Sequence, residues 1–211
     1  MENKIISNFL SIQGNLKPSV KIIAVTKTFE FGKIKPLIDH GHDHFGENKL
    51  QEAQLKWTET IKSNKSIKLH MIGKLQSNKA KKAVDLFHYI HSLDNQRLSD
   101  VLSKAEKEKN KKLKYFIQVN IGDESQKSGI SVNDLPSFFN YCTIENKLNV
   151  IGLMVLPPQD KKDNYFLKMQ NLSNSLNLRE LSMGMSADYL DALNYGATYV
   201  RIGSSIFGSR N

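Results

Sequence analysis

Two segments near the end of the chain decide its fold class. Residues 181–186 read Leu181-Ser182-Met183-Gly184-Met185-Ser186, and residues 199–204 read Tyr199-Val200-Arg201-Ile202-Gly203-Ser204. Each opens with a short, mostly apolar run that predicts a buried strand, and each ends in Gly and Ser. Between them, Tyr189, Leu190 and Leu193 have helical spacing. Because parallel strands are joined by crossovers that are usually helices, this unit predicts a parallel α/β sheet.

The same strand-then-helix unit recurs along the whole chain. Short apolar runs predict strands at 22–25, 44–46, 69–72, 87–91, 115–121, 150–156, 181–183 and 199–202. A helix carrying Ile5, Phe9 and Ile12 precedes the first of them. Eight such units fit either a doubly wound open sheet or a closed (β/α)8 barrel.

Residue types that begin helices refine this reading. Asp94 and Ser186 each precede a helical pattern and are predicted N-caps. Pro36 is predicted to lie near the start of the helix that contains Ile34 and Leu37.

The turn after the first strand favours the barrel. A doubly wound sheet normally carries a G-x-G-x-x-G turn there, whereas residues 26–32 read Thr26-Lys27-Thr28-Phe29-Glu30-Phe31-Gly32. The 211 residues correspond to about 26 per unit, near the lower size limit of barrels. We therefore expect one domain over residues 1–211, a (β/α)8 TIM-type barrel with an extra N-terminal helix.

Composition excludes several classes of protein. Lys and Arg number 30 against 21 Asp and Glu, a net charge of +9, and hydrophobic residues make up 39%. This balance is not that of a disordered chain, and no apolar run approaches the ~20 residues that cross a bilayer. The N-terminus lacks the pattern of a signal peptide, which predicts a cytoplasmic protein. The single cysteine, Cys142, cannot form an internal disulfide and is predicted to be a buried hydrophobe.

Lys27 and two Gly-Ser segments predict a site. Lys27 ends an apolar strand, where burying its ammonium is costly unless the group is paired or loses its proton. Lysines that form Schiff bases have lost that proton. The alternative is a lysine that reaches solvent at the strand end. Ser186 with Gly184, and Gly203 with Ser204, follow the last two strands, where barrels commonly bind phosphate. Together they predict a phosphorylated aldehyde held by a lysine imine.

Histidines suggest no metal site. Residues 40–44 read His40-Gly41-His42-Asp43-His44, which matches no zinc spacing and predicts a surface loop. His88 and His91 flank a buried strand and are predicted to be neutral and hydrogen-bonded.

Several stretches together carry a family resemblance: Ala24-Val25-Thr26-Lys27, Phe45-Gly46-Glu47-Asn48, residues 70–79, Ile117-Gln118-Val119-Asn120, Lys127-Ser128-Gly129, Gly152-Leu153-Met154, residues 181–186 and residues 200–208. On these stretches the chain resembles the pyridoxal phosphate homeostasis protein family, also called proline synthetase co-transcribed homologues. The resemblance implies a barrel like the N-terminal domain of alanine racemase, with pyridoxal 5′-phosphate (PLP) bound covalently to Lys27 as an aldimine.

The resemblance also implies roles for other residues. Asn48 would lie near the cofactor, Arg201 would face the pyridine nitrogen, and the phosphate would be bound by amides and hydroxyls of Met185, Ser186, Gly203 and Ser204. The phosphate-binding tyrosine of the racemase aligns with Phe31, which has no hydroxyl, so that contact must come from elsewhere.

We expect a PLP carrier or buffer rather than an enzyme. An arginine can only donate, so the ring nitrogen facing Arg201 would stay unprotonated and be a weaker electron sink. The chain ends at Asn211, directly after the last unit, so we expect no second domain that could supply a racemase base. The resemblance implies a role in intracellular PLP homeostasis, with release to an incoming amine, PLP-dependent client enzymes as recipients and a monomeric state.

Two alternatives remain at this point. A small PLP-dependent racemase would need a base opposite Lys27, for which His70, His91 and Tyr199 are candidates. A basic RNA-binding or anion-binding barrel would use Lys74, Lys79, Lys81 and Lys82. A basic helix start and a solvated face explain these lysines more simply, and nucleic acid is not the expected partner.

Overall fold

Eight parallel strands close into a barrel in chain order, with β1 paired to β8. The computed structural model describes residues 2–122, 124, 126, 128–158 and 162–209. The strands are β1 (Lys21–Val25), β2 (His44–Glu47), β3 (Lys68–Met71), β4 (Tyr89–Leu93), β5 (Lys114–Val119), β6 (Val150–Val155), β7 (Glu180–Met185) and β8 (Tyr199–Ile202). The predicted barrel is confirmed and the open sheet is wrong. Lys127 and Asn211, used in the sequence argument, lie outside the described residues.

Helices surround the barrel in alternation with the strands. They are α1 (Glu2–Gly14), α2 (Phe31–Asp39), α3 (Leu50–Ser63), α4 (Ala80–Leu86), α5 (Gln96–Lys109), α6 (Leu135–Asn140), α7 (Lys162–Ser175), α8 (Tyr189–Asn194) and α9 (Ser204–Phe207). The predicted N-terminal helix is α1, which buries Ile5, Phe9 and Ile12. Among the helices of the described segments, none has the length and apolar character needed to cross a bilayer.

The core has two parts because strand side chains alternate between the barrel interior and the helices. Most buried apolar residues pack between the strands and the helices. A smaller cluster fills the barrel itself: Ile23, Tyr89, Phe116, Met154 and Tyr199. Fully buried polar residues of neighbouring strands, including His70, His91 and Ser182, share this interior.

Two sequence predictions about helices need correction, and one helix is missing from the predictions. Pro36 lies inside α2, because that helix begins at Phe31, before the apolar spacing becomes visible. The N-cap of α5 is Asn95 rather than Asp94, and Asn95 Oδ1 accepts a hydrogen bond from the Leu98 N–H at 2.9 Å. Helix α3 was not predicted at all.

Cys142 is buried, as predicted. Burial raises the pKa of its thiol to about 11, which outweighs the opposing hydrogen bond from Ser99. A thiol with so high a pKa is inert at neutral pH.

Candidate functional site

All seven residues predicted for the site line one cavity of about 270 Å³. They are Lys27, Asn48, Met185, Ser186, Arg201, Gly203 and Ser204, and the remaining lining comes from Val25, Ile72, Leu156 and Ala187. These residues lie at or just after the carboxyl ends of β1, β2, β3, β6, β7 and β8, the end of a barrel where active sites form. Folding therefore brings the predicted residues together.

The strand end that carries Lys27 is held from outside the barrel wall. Thr26 Oγ1 donates a hydrogen bond to Glu47 Oε1 at 2.7 Å, and the Thr26 carbonyl accepts one from Lys56 Nζ at 2.8 Å. Glu47 Oε1 also accepts from Lys56 Nζ and from Trp57 Nε1, each at 2.9 Å. Glu47 is fully buried, so these bonds to Oε1 stabilise a carboxylate that would otherwise be costly, while Oε2 has no hydrogen-bond partner among the described residues.

The residue after Lys27 is held as well. The Thr28 N–H donates to Glu52 Oε1 at 2.6 Å, and Thr28 has φ +68°, a region that residues other than glycine rarely adopt. Burial raises the pKa of Glu52, but hydrogen bonds from Lys56 and the Thr28 N–H outweigh this and lower it overall. We call Thr26, Glu47, Glu52, Lys56 and Trp57 the Lys27 clamp; three of its members come from α3.

Arg201 is held from inside the barrel. Its Nη1 donates to the Ser182 carbonyl at 2.6 Å and to Ser182 Oγ at 2.7 Å, and its Nη2 donates to the Val155 carbonyl at 2.8 Å. Burial lowers the pKa of Arg201 to about 10, against the raising effect of the Asp188 carboxylate, so the group stays cationic at neutral pH. A guanidinium has five N–H groups, so these contacts leave donors for an acceptor in the cavity.

Ser186 and the residues after β8 line one side of the cavity. Ser186 Oγ accepts from the N–H groups of Gly203 and Ser205, each at 3.4 Å. These contacts are long, so a stronger acceptor such as a phosphate oxygen would displace the serine hydroxyl from the amides.

Ser186 does not cap the following helix, which corrects the prediction. Helix α8 begins at Tyr189, and Asp188 Oδ1 accepts from the Met185 N–H at 2.6 Å. Because the Asp188 carboxylate closes the turn after β7, the Ser186 side chain is left to line the cavity.

Two glycines permit close approaches that shape the site. A Cβ on Gly73 would lie 2.4 Å from the Asn48 carbonyl oxygen, so the loops after β2 and β3 touch directly and set the position of Asn48. Gly184 has φ +89°, and a Cβ there would lie 2.9 Å from both Tyr189 Cα and Ala192 Cβ. The close neighbour of Gly184 is α8, not the cavity.

The three candidate bases of the racemase alternative lie away from the cavity lining. His70 and His91 are fully buried within the barrel, and both ring nitrogens of each are engaged in hydrogen bonds. Tyr199 begins β8, at the opposite end of the barrel, where Lys21 Nζ lies 5.2 Å from its ring centre.

The prediction of neutral histidines is confirmed. Burial lowers the pKa of His91 well below 6.5, and the charge of Arg201 lowers it further. Burial, followed by the charges of Lys68 and Lys111, lowers the pKa of His88 to about 4, and His88 Nδ1 accepts from the Leu69 N–H at 3.1 Å.

The histidine-rich segment 40–44 is not simply a loop, because His44 begins β2 and is buried. Within the described residues, no group of three or more His, Cys, Asp or Glu side chains is placed to hold a metal ion.

Phe31 lies outside the cavity. It begins α2, and its ring meets that of Trp57 edge-on with centroids 6.1 Å apart. With Leu55 and Thr60 it lines a separate cavity of about 560 Å³. Any phosphate bound beside Lys27 would depend on Ser186 and the nearby amides instead.

The charge of the cavity indicates the kind of ligand it suits. Among its described lining residues, Lys27 and Arg201 are the charged side chains, and none is a carboxylate. A primary amine, a guanidinium, a hydroxyl and loosely engaged amides suit an anion that also carries a carbonyl and an acceptor nitrogen.

Sequence reasoning missed the residues that support the site. The spacing of Leu50, Ala53 and Trp57 is a signal that could have predicted α3, since all three are buried on one face. Nothing local in the sequence indicates that Lys56 reaches the Thr26 carbonyl or that Ser182 meets Arg201.

Comparisons with known proteins identify the family of the chain. The family described as "Alanine racemase, N-terminal domain" matches residues 2–211. A pyridoxal phosphate homeostasis protein of Synechocystis sp. is 37% identical over 97% of this chain and 98% of its own length. Its counterpart from Aquifex aeolicus is 36% identical over 90% of this chain and 87% of its own.

Solved structures show the same fold. PipY of Synechococcus elongatus superposes with a TM-score of 0.91 without PLP and 0.89 with PLP bound, at 34% and 33% identity, covering 97% of this chain and 100% of PipY. An alanine racemase of Clostridium difficile, at 14% identity and a TM-score of 0.79, shares the fold over 99% of this chain and 57% of its own. On the strength of these matches over nearly its whole length, the chain belongs to the pyridoxal phosphate homeostasis protein family.

Proposed function

We propose that this protein binds PLP in the cavity lined by Lys27 and Arg201, and holds and releases it without turning over amino acids. The observation that carries the proposal is the cavity itself, which joins an amine, a buried guanidinium and phosphate-type donors. Relatives named pyridoxal phosphate homeostasis proteins, and a PipY structure with PLP bound, support the same assignment.

Lys27 is the proposed point of covalent attachment. Bound PLP supplies an aldehyde that condenses with primary amines, and the Lys27 side chain lines the cavity from the end of β1. The Lys27 clamp fixes the backbone on both sides of the lysine, so the amine enters the cavity from one direction. Asn48, held by the contact of its loop with Gly73, lies beside the cofactor in this proposal.

The other residues orient the cofactor by its charges. In this proposal the hydroxyls of Ser186 and Ser204 and the amide of Gly203 bind the phosphate, which is how the missing hydroxyl at Phe31 is replaced. The Met185 N–H is held by Asp188, so Met185 lines the cavity without donating to the phosphate. Arg201 faces the ring nitrogen, and because a guanidinium only donates, that nitrogen accepts a hydrogen bond and stays unprotonated.

The lining also favours storage over racemisation. Racemisation needs a base on each face of the substrate carbon, and among the described lining residues Lys27 is the side chain suited to move a proton. The candidates His70, His91 and Tyr199 are not in the lining. We further propose that the protein acts as a cytoplasmic monomer and passes PLP to client enzymes.

The test is to purify the protein with PLP, record its visible absorbance, reduce it with borohydride and map the modified peptide by mass spectrometry. We expect a coloured protein with the adduct on Lys27. Lys27→Ala should retain PLP at least about tenfold less tightly and give no adduct.

Lys74→Ala is the matched control, because Lys74 is an exposed lysine on the loop after β3, at the same end of the barrel. It should behave like the wild type. A wild-type protein that stays colourless with added PLP, or an adduct on another lysine, would contradict the proposal.

A further inference from the structure

A continuous line of hydrogen bonds crosses the barrel interior and ends at Arg201. His44 Nδ1 lies 2.8 Å from His70 Nε2, His70 Nδ1 lies 2.9 Å from His91 Nε2, and His91 Nδ1 lies 2.9 Å from Ser182 Oγ. Ser182 Oγ in turn accepts from Arg201 Nη1 at 2.7 Å. We call His44, His70, His91 and Ser182 the histidine chain; its members come from β2, β3, β4 and β7.

Arg201 sets the direction of every bond in this chain. A guanidinium can only donate, so Ser182 Oγ accepts from it and uses its single proton to donate to His91 Nδ1. A neutral His91 then carries its proton on Nε2 and donates to His70 Nδ1. By the same step His70 donates from Nε2 to His44 Nδ1, so all three rings are Nε2–H tautomers.

The opposite direction leaves a group unsatisfied. If His91 donated to Ser182 Oγ, that oxygen would accept from both His91 and Arg201, and its own proton would need a third partner. Ser182 is fully buried, and the hydrogen bonds described for its hydroxyl involve His91 and Arg201 alone. Only the direction away from Arg201 satisfies every buried group.

The rings are neutral and locked in place. Burial lowers the pKa of both His70 and His91 well below 6.5. The ring of His70 stacks on Tyr89 with centroids 4.1 Å apart, and the ring of His91 stacks on Phe116 at 4.2 Å. These stacks oppose ring flips that would exchange the two nitrogens.

The far end of the chain reaches the opposite end of the barrel. His44 begins β2 and is 9% exposed, and its outward nitrogen, Nε2, lies 3.8 Å from Asp43 Oδ1. In the inferred direction this nitrogen carries the last proton and faces the carboxylate. The histidine chain thus runs from the Arg201 guanidinium toward the Asp43 carboxylate, while all its members stay neutral.

We propose that Ser182, His91, His70 and His44 are positioning residues that orient the Arg201 guanidinium and hold Ser182 as its acceptor, so that the remaining N–H groups of Arg201 point to the ring nitrogen of the cofactor. This inference rests on the proposed function, because it takes the ring nitrogen of PLP as the partner of Arg201. The direction of the hydrogen bonds in the histidine chain does not depend on PLP.

The first experiment therefore uses the full protein without added PLP. Long-range ¹H–¹⁵N spectra of ¹⁵N-labelled protein at pH 7 report the tautomer of each histidine. We expect His44, His70 and His91 to be Nε2–H tautomers, with Nε2 protons of His70 and His91 that exchange slowly with water. An Nδ1–H tautomer or an imidazolium at His70 or His91 would overturn the proposal, whether or not the protein binds PLP.

The second experiment tests the effect on the cofactor. Ser182→Ala removes the hydroxyl that links Arg201 to His91; we expect about tenfold weaker PLP binding, a shifted absorbance maximum of the bound cofactor and a mixture of His91 tautomers. Ser182→Thr keeps the hydroxyl and should restore the wild-type spectrum and tautomer.

Ser92→Ala is the matched control, since Ser92 is 1% exposed and takes no part in the histidine chain. It should leave binding and spectrum unchanged. If Ser182→Ala binds PLP as the wild type does, with the same absorbance maximum, the positioning role is wrong. If the wild type fails to bind PLP, the proposed function is wrong, while the NMR result still decides the direction of the chain.

Discussion

The two cationic residues of the cavity are supported in opposite ways. Lys27 is held from outside the barrel wall by the Lys27 clamp, in which a buried carboxylate and an ammonium are paired at 2.9 Å. Arg201 is held from inside the barrel by the histidine chain, whose members are all neutral.

The two kinds of support differ because one lies on the outer side of the barrel wall and the other in the closed interior. On the outer side of the wall, the Lys56 side chain is 10% exposed and lies beside two carboxylates, Glu47 at the end of β2 and Glu52 on α3. Ion pairs therefore carry a smaller desolvation penalty at this boundary. In the closed interior a second cation beside Arg201 would add repulsion in a low-dielectric region, so neutral donors and acceptors are required. The Lys27 clamp fixes the direction of the backbone at Lys27, and the histidine chain fixes the plane of the Arg201 guanidinium.

The sharpest way to break the clamp is Glu47→Ala. The change leaves the Trp57 N–H and part of the Lys56 ammonium without an acceptor in a buried place, and leaves the Thr26 hydroxyl with the longer contact to the Gly46 carbonyl at 3.3 Å. We expect the free energy of unfolding, measured by urea denaturation, to fall by about 3 to 5 kcal/mol.

Glu59→Ala is its control, because Glu59 pairs with Lys62 on the surface with 84% of its side chain exposed. It should change the free energy of unfolding by less than about 1 kcal/mol. Similar losses for the two variants would contradict the role given to Glu47.

Acid tests the buried histidines, which include members of the histidine chain. Burial holds the pKa of His70 and His91 well below 6.5 in the folded protein, whereas in the unfolded chain they titrate at about 6.5. Below about pH 6.5 the unfolded chain therefore binds more protons, and the free energy of unfolding falls as the pH falls. At pH 5.5 the loss is on the order of 1 kcal/mol for each such histidine, and His42 and His88, whose pKa burial lowers to about 4, add to it in the same direction.

Urea denaturation at several pH values from 7.5 to 5.5 measures this loss. Glu52, whose pKa is lowered, stays ionised over this range, so its hydrogen bonds should not contribute to the change. Stability that is flat or rises toward pH 5.5 would mean that the histidines are not held neutral.

The smallest expected effect comes from Glu52, a partly exposed member of the Lys27 clamp. Glu52→Gln weakens the hydrogen bond to the Thr28 N–H and removes one carboxylate from Lys56. Because the Glu52 side chain is 28% exposed, we expect a loss of only about 1 kcal/mol in the free energy of unfolding.

The strained backbone at Thr28 should nevertheless relax, so the rate at which borohydride traps PLP on Lys27 should change in Glu52→Gln. Glu59→Ala serves again as the control and should keep the wild-type rate. A Glu52→Gln protein with the wild-type trapping rate would limit the clamp to stability alone.

Much of the fold and the cavity could be predicted from local pattern. Runs such as 22–25 and 199–202 alternate with helical spacing, and that alternation requires a parallel sheet. Lys27, Ser186, Gly203 and Ser204 stand at strand ends, which a barrel gathers at one face. Their meeting in one cavity follows from the topology once the sheet is closed.

The supports could not be predicted in this way. Thr26 and Lys56 are 30 residues apart, and His91 and Ser182 are 91 apart, so no spacing in the sequence relates them. Ser186 shows the same limit, since serine before a helix is a good N-cap by type, yet the neighbouring Asp188 closes the turn instead.

By itself, then, the sequence determined the strand and helix pattern, the barrel and the residues at its carboxyl end, because these depend on periodicity and on neighbours along the chain. Only the tertiary structure decided how those residues are held. Closing the barrel places His44, His70, His91 and Ser182 in one buried line, and packing α3 against β1 and β2 places Lys56 beside Glu47. Hydrogen bonds of this kind depend on distances in space of about 3 Å, which the order of residues along a chain does not encode locally.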